Sequence, residues 1–176
     1  LARHGLSPDK RLGQHFLADP NITRKIAGLA QVGPGDRVVE VGPGTGTLTV
    51  ALEQTGAAVT AIEVDESLRP ILEEVTSATL LFADAGGLDL AEVLGPGEWT
   101  FVSNLPYNVG TSIVLDALRF VPQIRRFVVM VQLEVAERLV AMPGSKTYGL
   151  PSVVTSLHGV AQLALRVPPQ VFVPAP

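Results

Sequence analysis

Short apolar runs alternate with amphipathic segments along most of this chain. Arg37–Val41, Ala58–Glu63, Ala78–Phe82, Trp99–Ser103 and Phe127–Val131 are apolar stretches of five or six residues set off by turn-forming residues. Runs of that length without polar alternation predict strands buried on both faces. Between them, apolar positions recur at helical spacing. Asp19-Pro20 opens the first helix, with a capping carboxylate followed by proline at the first helical position. Ile22, Ile26 and Leu29 carry that helix to about Gln31. Further helices are predicted over Thr47–Gln54, from a cap at Asp65 to about Val75, and over Leu88–Leu94, Thr111–Phe120 and Gln132–Ala141. Tyr148–His158 reads as a helix despite Pro151, and Ala161–Val167 as a last strand. Such alternation predicts an α/β domain, a mostly parallel sheet with helices on both faces. Residues 1–18 show no clean period and read as an arm. The last nine residues, Pro168–Pro176, include four prolines and predict no regular element, in the manner of a cut connection.

Composition narrows the partners. At 176 residues the chain suffices for one domain with a full core. It is 47 % apolar and 17 % charged, against roughly 25 % charged in an average soluble domain. No apolar run approaches the ~18 residues that span a bilayer, which excludes a membrane partner and fits a cytoplasmic location. Without cysteine, disulfides and thiolate metal sites are excluded. The net charge of −4 argues at first against nucleic acid, but ten of the acidic residues lie between Glu53 and Glu98, opposed there only by Arg69. The remainder holds seven acidic and twelve basic residues, which permits a basic face beside an acidic flank.

The densest chemical signal is Val38 to Thr49, where an apolar run stops and Gly42, Gly44 and Gly46 follow at alternate positions. A buried strand, a glycine loop and a helix are the layout of a nucleotide-type site in an open α/β sheet. Glu63, twenty-one residues past Gly42, ends the next strand, where a carboxylate can accept hydrogen bonds from a ribose diol. Asp84 follows the third strand. A dinucleotide fingerprint would need glycine at position 47, which is threonine, and a phosphate-binding P-loop would need a lysine that is absent. With Glu40 just before it, the loop instead resembles the first motif of S-adenosylmethionine (SAM)-dependent methyltransferases. Taken alone, the glycines also fit a bare strand-to-helix turn; Glu63 and Asp84 at neighbouring strand ends favour a shared site.

Asn104-Leu105-Pro106-Tyr107 follows the fourth strand beside the same crevice. Methylating an exocyclic amine requires its lone pair to face an electrophilic methyl. An amide oxygen and a proline-flanked carbonyl can accept the two N–H groups, while an aromatic ring stacks on the base. Alone, the tetrapeptide would read as a turn built on Leu-Pro.

Four more segments extend the pattern: Gly13-Gln14-His15-Phe16-Leu17, Glu63-Val64-Asp65, Val131–Leu139 and Lys146-Thr147-Tyr148-Gly149. Together with the glycine loop and Asn104–Tyr107, in this order, the chain closely resembles the KsgA-type small-subunit ribosomal RNA adenine dimethyltransferases over nearly all its length. The resemblance implies a Rossmann-like class I fold using SAM and no metal. It implies transfer of two methyl groups to N6 of each of two adjacent adenosines in the 3′-terminal hairpin of small-subunit RNA. The partner would be that RNA within the immature 30S particle, and the chain a monomer. Gln14, His15 and Leu17 in the arm would meet SAM, as would Gly42, Gly44 and Gly46 in the loop. Glu63 with Val64 would take the ribose, and Asp84 with Ala85 the adenine. Asn104, Leu105 and Pro106 would orient the target amine, with Asn104 touching SAM as well. Tyr107 and Phe172 would sandwich the target base. His15 stands where many members have asparagine, and Leu150-Pro151 replaces a usual Arg-Leu. A final antiparallel strand and a small helical domain that continue the family's chain have no counterpart before Pro176. Two alternatives stay open: an Erm-type enzyme acting on large-subunit RNA, and a non-catalytic RNA- or SAM-binding relative or fragment.

Overall fold

Five of the apolar runs pair as one parallel sheet. The structure, a computed structural model, describes residues 14–107 and 109–175; the first thirteen residues of the expected arm and Pro176 lie outside them. Strands β2 (Arg37–Val41), β3 (Ala58–Glu63), β4 (Thr79–Phe82), β5 (Trp99–Asn104) and β6 (Ile124–Met130) take the order β4-β3-β2-β5-β6, every neighbouring pair parallel. The chain runs outward from β2 to β4 and then crosses back to β5 on the other side of β2. At that reversal the loops leaving β2 and β5 part, which opens a crevice at the carboxyl ends of the strands. The Ser103 hydroxyl of β5 donates to the Val41 carbonyl of β2 directly beneath it.

Helices cover both faces. On one, α1 (Pro20–Ala30) and α2 (Thr47–Glu53) pack Ile26, Ala27, Leu48 and Leu52 against Val38, Val59 and Val102. On the other, α4 (Leu90–Leu94) and α5 (Gly110–Phe120) pack Leu90, Leu94, Val114 and Ala117 against Val39, Val41 and Phe101. A third cluster gathers Ile71 and Leu72 of α3 (Arg69–Val75) with Leu68 and Phe16. α6 (Leu133–Leu139) and α7 (Leu150–His158) follow β6. The Asp19 carboxylate accepts from the amides of Asn21 (2.7 Å) and Ile22 (3.3 Å), as a cap should. Pro151 is tolerated because it falls in the first turn of α7, where its missing N–H has no helical partner to lose. Among the described residues, no helix is long and apolar enough to cross a membrane.

Three expectations are corrected. β6 begins at Ile124, three residues before the apolar run, because exposed Arg125 and Arg126 hide a backbone that already pairs with β5. Ala161–Val167 is not a strand: no neighbouring strand among the described residues supplies backbone partners, and Leu163 and Leu165 are exposed. Conversely, the proline-rich tail does form structure. A 3-10 turn at Pro169–Val171 leads into β7 (Phe172–Val173), antiparallel to β1 (Phe16–Leu17) in the arm. Prolines on both sides confine β7 to two residues, since each lacks the N–H a longer ladder would use.

Beneath the glycine loop, one polar pair is sealed in the core. Glu40 of β2 and Thr49 of α2 are 1 % and 0 % exposed, and the Thr49 hydroxyl donates to the Glu40 carboxyl at 2.6 Å. The bond staples strand to helix across the loop between them. Burial pushes the Glu40 pKa up from 4.5 to about 8, against the smaller opposing effect of Thr49. Between pH 4.5 and 8 the unfolded chain therefore ionises this group while the folded chain keeps it protonated, and stability falls as pH rises through that window. Glu40→Gln should match the wild type near pH 4.5 and exceed it by on the order of 3 kcal/mol at pH 8, measured by urea unfolding at both pH values.

Candidate active site

The crevice at the strand ends is an open cleft. Its floor is the loop after β2. Gly44 there has φ +58°, and a Cβ would lie 2.7 Å from the Phe16 ring; the residue must be glycine both for the turn and for the arm to seat on it. Gly42 faces the opposite wall, 3.7 Å (from an ideal Cβ) to the Pro106 ring. Gly46 lies off the cleft wall: a Cβ there would meet Val75 at 2.9 Å, so its role in the structure is to let α2 pack on α3.

The second wall comes from the end of β3. Glu63 is 5 % exposed, and its two oxygens accept from the amides of Gly44 and Asp65, each at 3.0 Å. Burial raises its pKa, and those amides oppose the rise by stabilising the anion. Val64 beside it is half exposed to the cleft, and Asp84 with Ala85 continues the wall after β4. One Asp84 oxygen is engaged by the Gly86 amide at 2.9 Å.

The third wall is Asn104–Tyr107 after β5. The Leu105 amide donates to the Met130 carbonyl (3.0 Å), and the Gly110 amide to the Pro106 carbonyl (2.9 Å), so the tetrapeptide is held between β6 and α5. The arm then closes over the top, with each residue tied to a different wall. Gln14 Nε2 donates to Asp65 (2.8 Å), Asn104 Nδ2 to the His15 carbonyl (3.2 Å), and the Thr47 hydroxyl to the Leu17 carbonyl (2.7 Å). Beyond Asn104 and Tyr107 lies a second, open cavity, walled also by Met130, Gln132 and Phe172. Asn104 and Tyr107 border both spaces; Phe172 borders only the second.

The structure thus brings together every expected site residue except Gly46, divided between two adjoining chambers. Sequence reasoning missed Phe16, Thr47 and the β6 end as parts of the site. A lone aromatic inside a polar arm and a hydroxyl just past the glycine loop were the available signals.

The cleft is chemically one-sided. Glu63 and Asp84 line it, with the sealed, protonated Glu40 beneath them, and among the described lining residues there is no lysine or arginine. Such a surface suits a ligand carrying positive charge and hydroxyls, and disfavours a phosphate, which a glycine loop alone would have allowed. No group of three or more metal-ligating side chains occurs among the described residues.

Sheet order, glycine loop and carboxylate-ended β3 define a class I SAM-dependent methyltransferase fold. In solved structures that fold recurs in the 23S rRNA methyltransferase ErmE, with a TM-score of 0.74 and 28 % identity, covering 92 % of this chain and 65 % of that one. A dimethyladenosine transferase from Plasmodium falciparum gives 0.66 and 28 %, covering 81 % and 52 %. The model of the family described as "Ribosomal RNA adenine dimethylase" matches residues 6–176, and the chain belongs to that family. Among curated relatives, the "Ribosomal RNA small subunit methyltransferase A" of Phenylobacterium zucineum is 48 % identical over 180 residues, covering 100 % of this chain and 63 % of the relative. Its namesake from Cutibacterium acnes is 46 % identical, covering 98 % and 60 %. The chain therefore spans a little over three-fifths of these relatives' length.

The cleft's charge makes a direct prediction. Calorimetry should detect SAM binding, while ATP and NADH, which share the adenosine but add phosphates, should bind at least about tenfold more weakly or not at all.

Proposed function

We propose that the chain transfers methyl groups from SAM to N6 of adenosine in small-subunit ribosomal RNA, two to each of two adjacent adenosines in the 3′-terminal hairpin. It would act as a monomer in the cytoplasm, on RNA of the immature 30S particle. One observation carries this reading: Asn104 and Tyr107 form a wall shared by the carboxylate-lined cleft and the second cavity. A donor in one chamber and an acceptor in the other would meet at Asn104. The small-subunit choice is supported by relatives of that name at 46–48 % identity, against 28 % for the 23S enzyme.

The family resemblance implies the residues' roles, and their chemistry suits them. When bound, SAM supplies an electrophilic methyl on a positively charged sulfur. Glu63, already aligned by two amides, accepts from the ribose hydroxyls. Asp84 accepts from the adenine amino group, and Gln14 with Leu17 holds the arm over the ligand. Asn104 Nδ2 donates to the His15 carbonyl, which leaves Oδ1 as the acceptor of the amide. That oxygen and the Leu105 carbonyl, which precedes Pro106, take the two N–H groups of the target amine. The lone pair then faces the methyl. Held so, the amine would accept the methyl that SAM supplies, and the surplus amine proton would leave to solvent. Tyr107 and Phe172 stack on the extruded base. Positioning does most of the work, as expected where the electrophile is already activated.

With labelled SAM and a mixture of immature 30S and 50S particles, label should appear as N6,N6-dimethyladenosine in small-subunit RNA. Tyr107→Ala should cut transfer about ten- to hundredfold, the scale of one lost base stack, with SAM affinity nearly intact. Glu63→Ala should instead weaken SAM by about a hundredfold. Label confined to 23S RNA contradicts the substrate, and normal SAM affinity in Glu63→Ala contradicts the ribose assignment.

A further inference from the structure

His15 is where the arm reaches the acceptor side of the site. Its imidazole stacks on Tyr107 with ring centroids 5.0 Å apart and planes inclined by 26°. Its Nδ1 lies 3.0 Å from the Pro174 carbonyl, an acceptor only, so the neutral ring must carry its hydrogen on Nδ1. Its own carbonyl receives Asn104 Nδ2. The next two residues, Phe16 and Leu17, pair with Val173 and Phe172. One short ribbon therefore delivers His15 to Tyr107 in the first chamber and Phe172 to the second.

That arrangement matters because Tyr107 is half-buried and follows strand β5 in a turn. A ring free to rotate loses entropy when a base stacks on it. An offset aromatic contact on one side holds the ring before the base arrives and contributes beyond simple area burial. An asparagine at position 15 could still bond Pro174 and could still present its carbonyl to Asn104, but it would offer Tyr107 no ring.

We propose that His15 is a positioning residue for the acceptor base: by stacking on Tyr107 while bonded to Pro174, it couples closure of the arm to assembly of the acceptor pocket. This rests on the proposed methyl transfer and assigns His15 a part in it that is separate from holding SAM. The ring, more than the hydrogen bond, carries the effect.

The test measures steady-state methyl transfer to small-subunit RNA, SAM affinity by calorimetry and thermal unfolding for three variants of the chain. His15→Ala should raise KM for RNA about five- to tenfold, the scale of one aromatic contact, with any loss of SAM affinity clearly smaller than that. His15→Phe, which keeps a ring and loses Nδ1, should return KM to within about twofold of wild type. His15→Asn, which keeps a hydrogen-bonding group and loses the ring, should behave like His15→Ala. The proposal is overturned if His15→Ala leaves KM unchanged or weakens SAM and RNA by the same factor. It is equally overturned if His15→Asn rescues KM and His15→Phe does not. A wild-type chain that transfers no methyl overturns the activity itself and this role with it, a result distinct from His15 variants that match an active wild type.

Discussion

Two backbone amides, from Gly44 and Asp65, converge on the carboxylate of Glu63, and the rest of the site depends on that convergence. In the glycine loop after β2, Gly42 still donates to the Ile62 carbonyl of β3 at 2.8 Å and Gly46 to the Pro43 carbonyl at 2.9 Å, whereas the Gly44 amide turns to Glu63 at 3.0 Å. A buried carboxylate at the end of β3 has the complementary need, since burial raises its pKa and the two amides oppose that rise. Each satisfies the other, and the loop is thereby fixed to the next strand. Below it, the Glu40–Thr49 staple fixes the same loop to the strand and helix on either side. Two carboxyl groups in an apolar sheet are costly to bury, and both serve to hold one five-residue turn.

Above that floor, the cleft is closed by chain segments distant in sequence. The arm and the tail meet as β1 and β7, and their short ribbon lies where β2 and β5 part. The cleft consequently owes its roof to Gln14–Leu17, and the second cavity owes one wall to Phe172. Asn104 stands at the junction with its amide orientation set by the arm's backbone. A methyltransferase acting on a weak amine nucleophile needs this kind of alignment more than it needs an acid or base.

Much of this was legible from residue order. The five strands announced themselves as unbroken apolar runs because a parallel sheet is covered on both faces, and Val38, Val39, Phe101 and Val102 are indeed fully buried. The missing lysine and the threonine at position 47 turned the glycine loop away from phosphate, in agreement with a cleft lined by carboxylates. Non-local pairing was not legible. Nothing periodic marks Phe16–Leu17 or Phe172–Val173, since two-residue strands are too short to show alternation, and four nearby prolines argue against any strand. Ala161–Val167 failed in the opposite way: its residues suit a strand, but a strand exists only where another backbone meets it. Arg125 and Arg126 masked the start of β6 because side-chain exposure and backbone pairing are separate properties there.

The central claim is that the carboxylate-lined cleft cradles the methyl donor so that its reactive end faces Asn104 and the second chamber. A crystal structure of the chain with S-adenosylhomocysteine, the demethylated product, tests this most directly. The account predicts the ribose diol within hydrogen-bond distance of Glu63, the adenine beside Asp84, and the sulfur directed toward Asn104. A ligand seated in the Phe172 chamber, or in the cleft with its ribose away from Glu63, would contradict it.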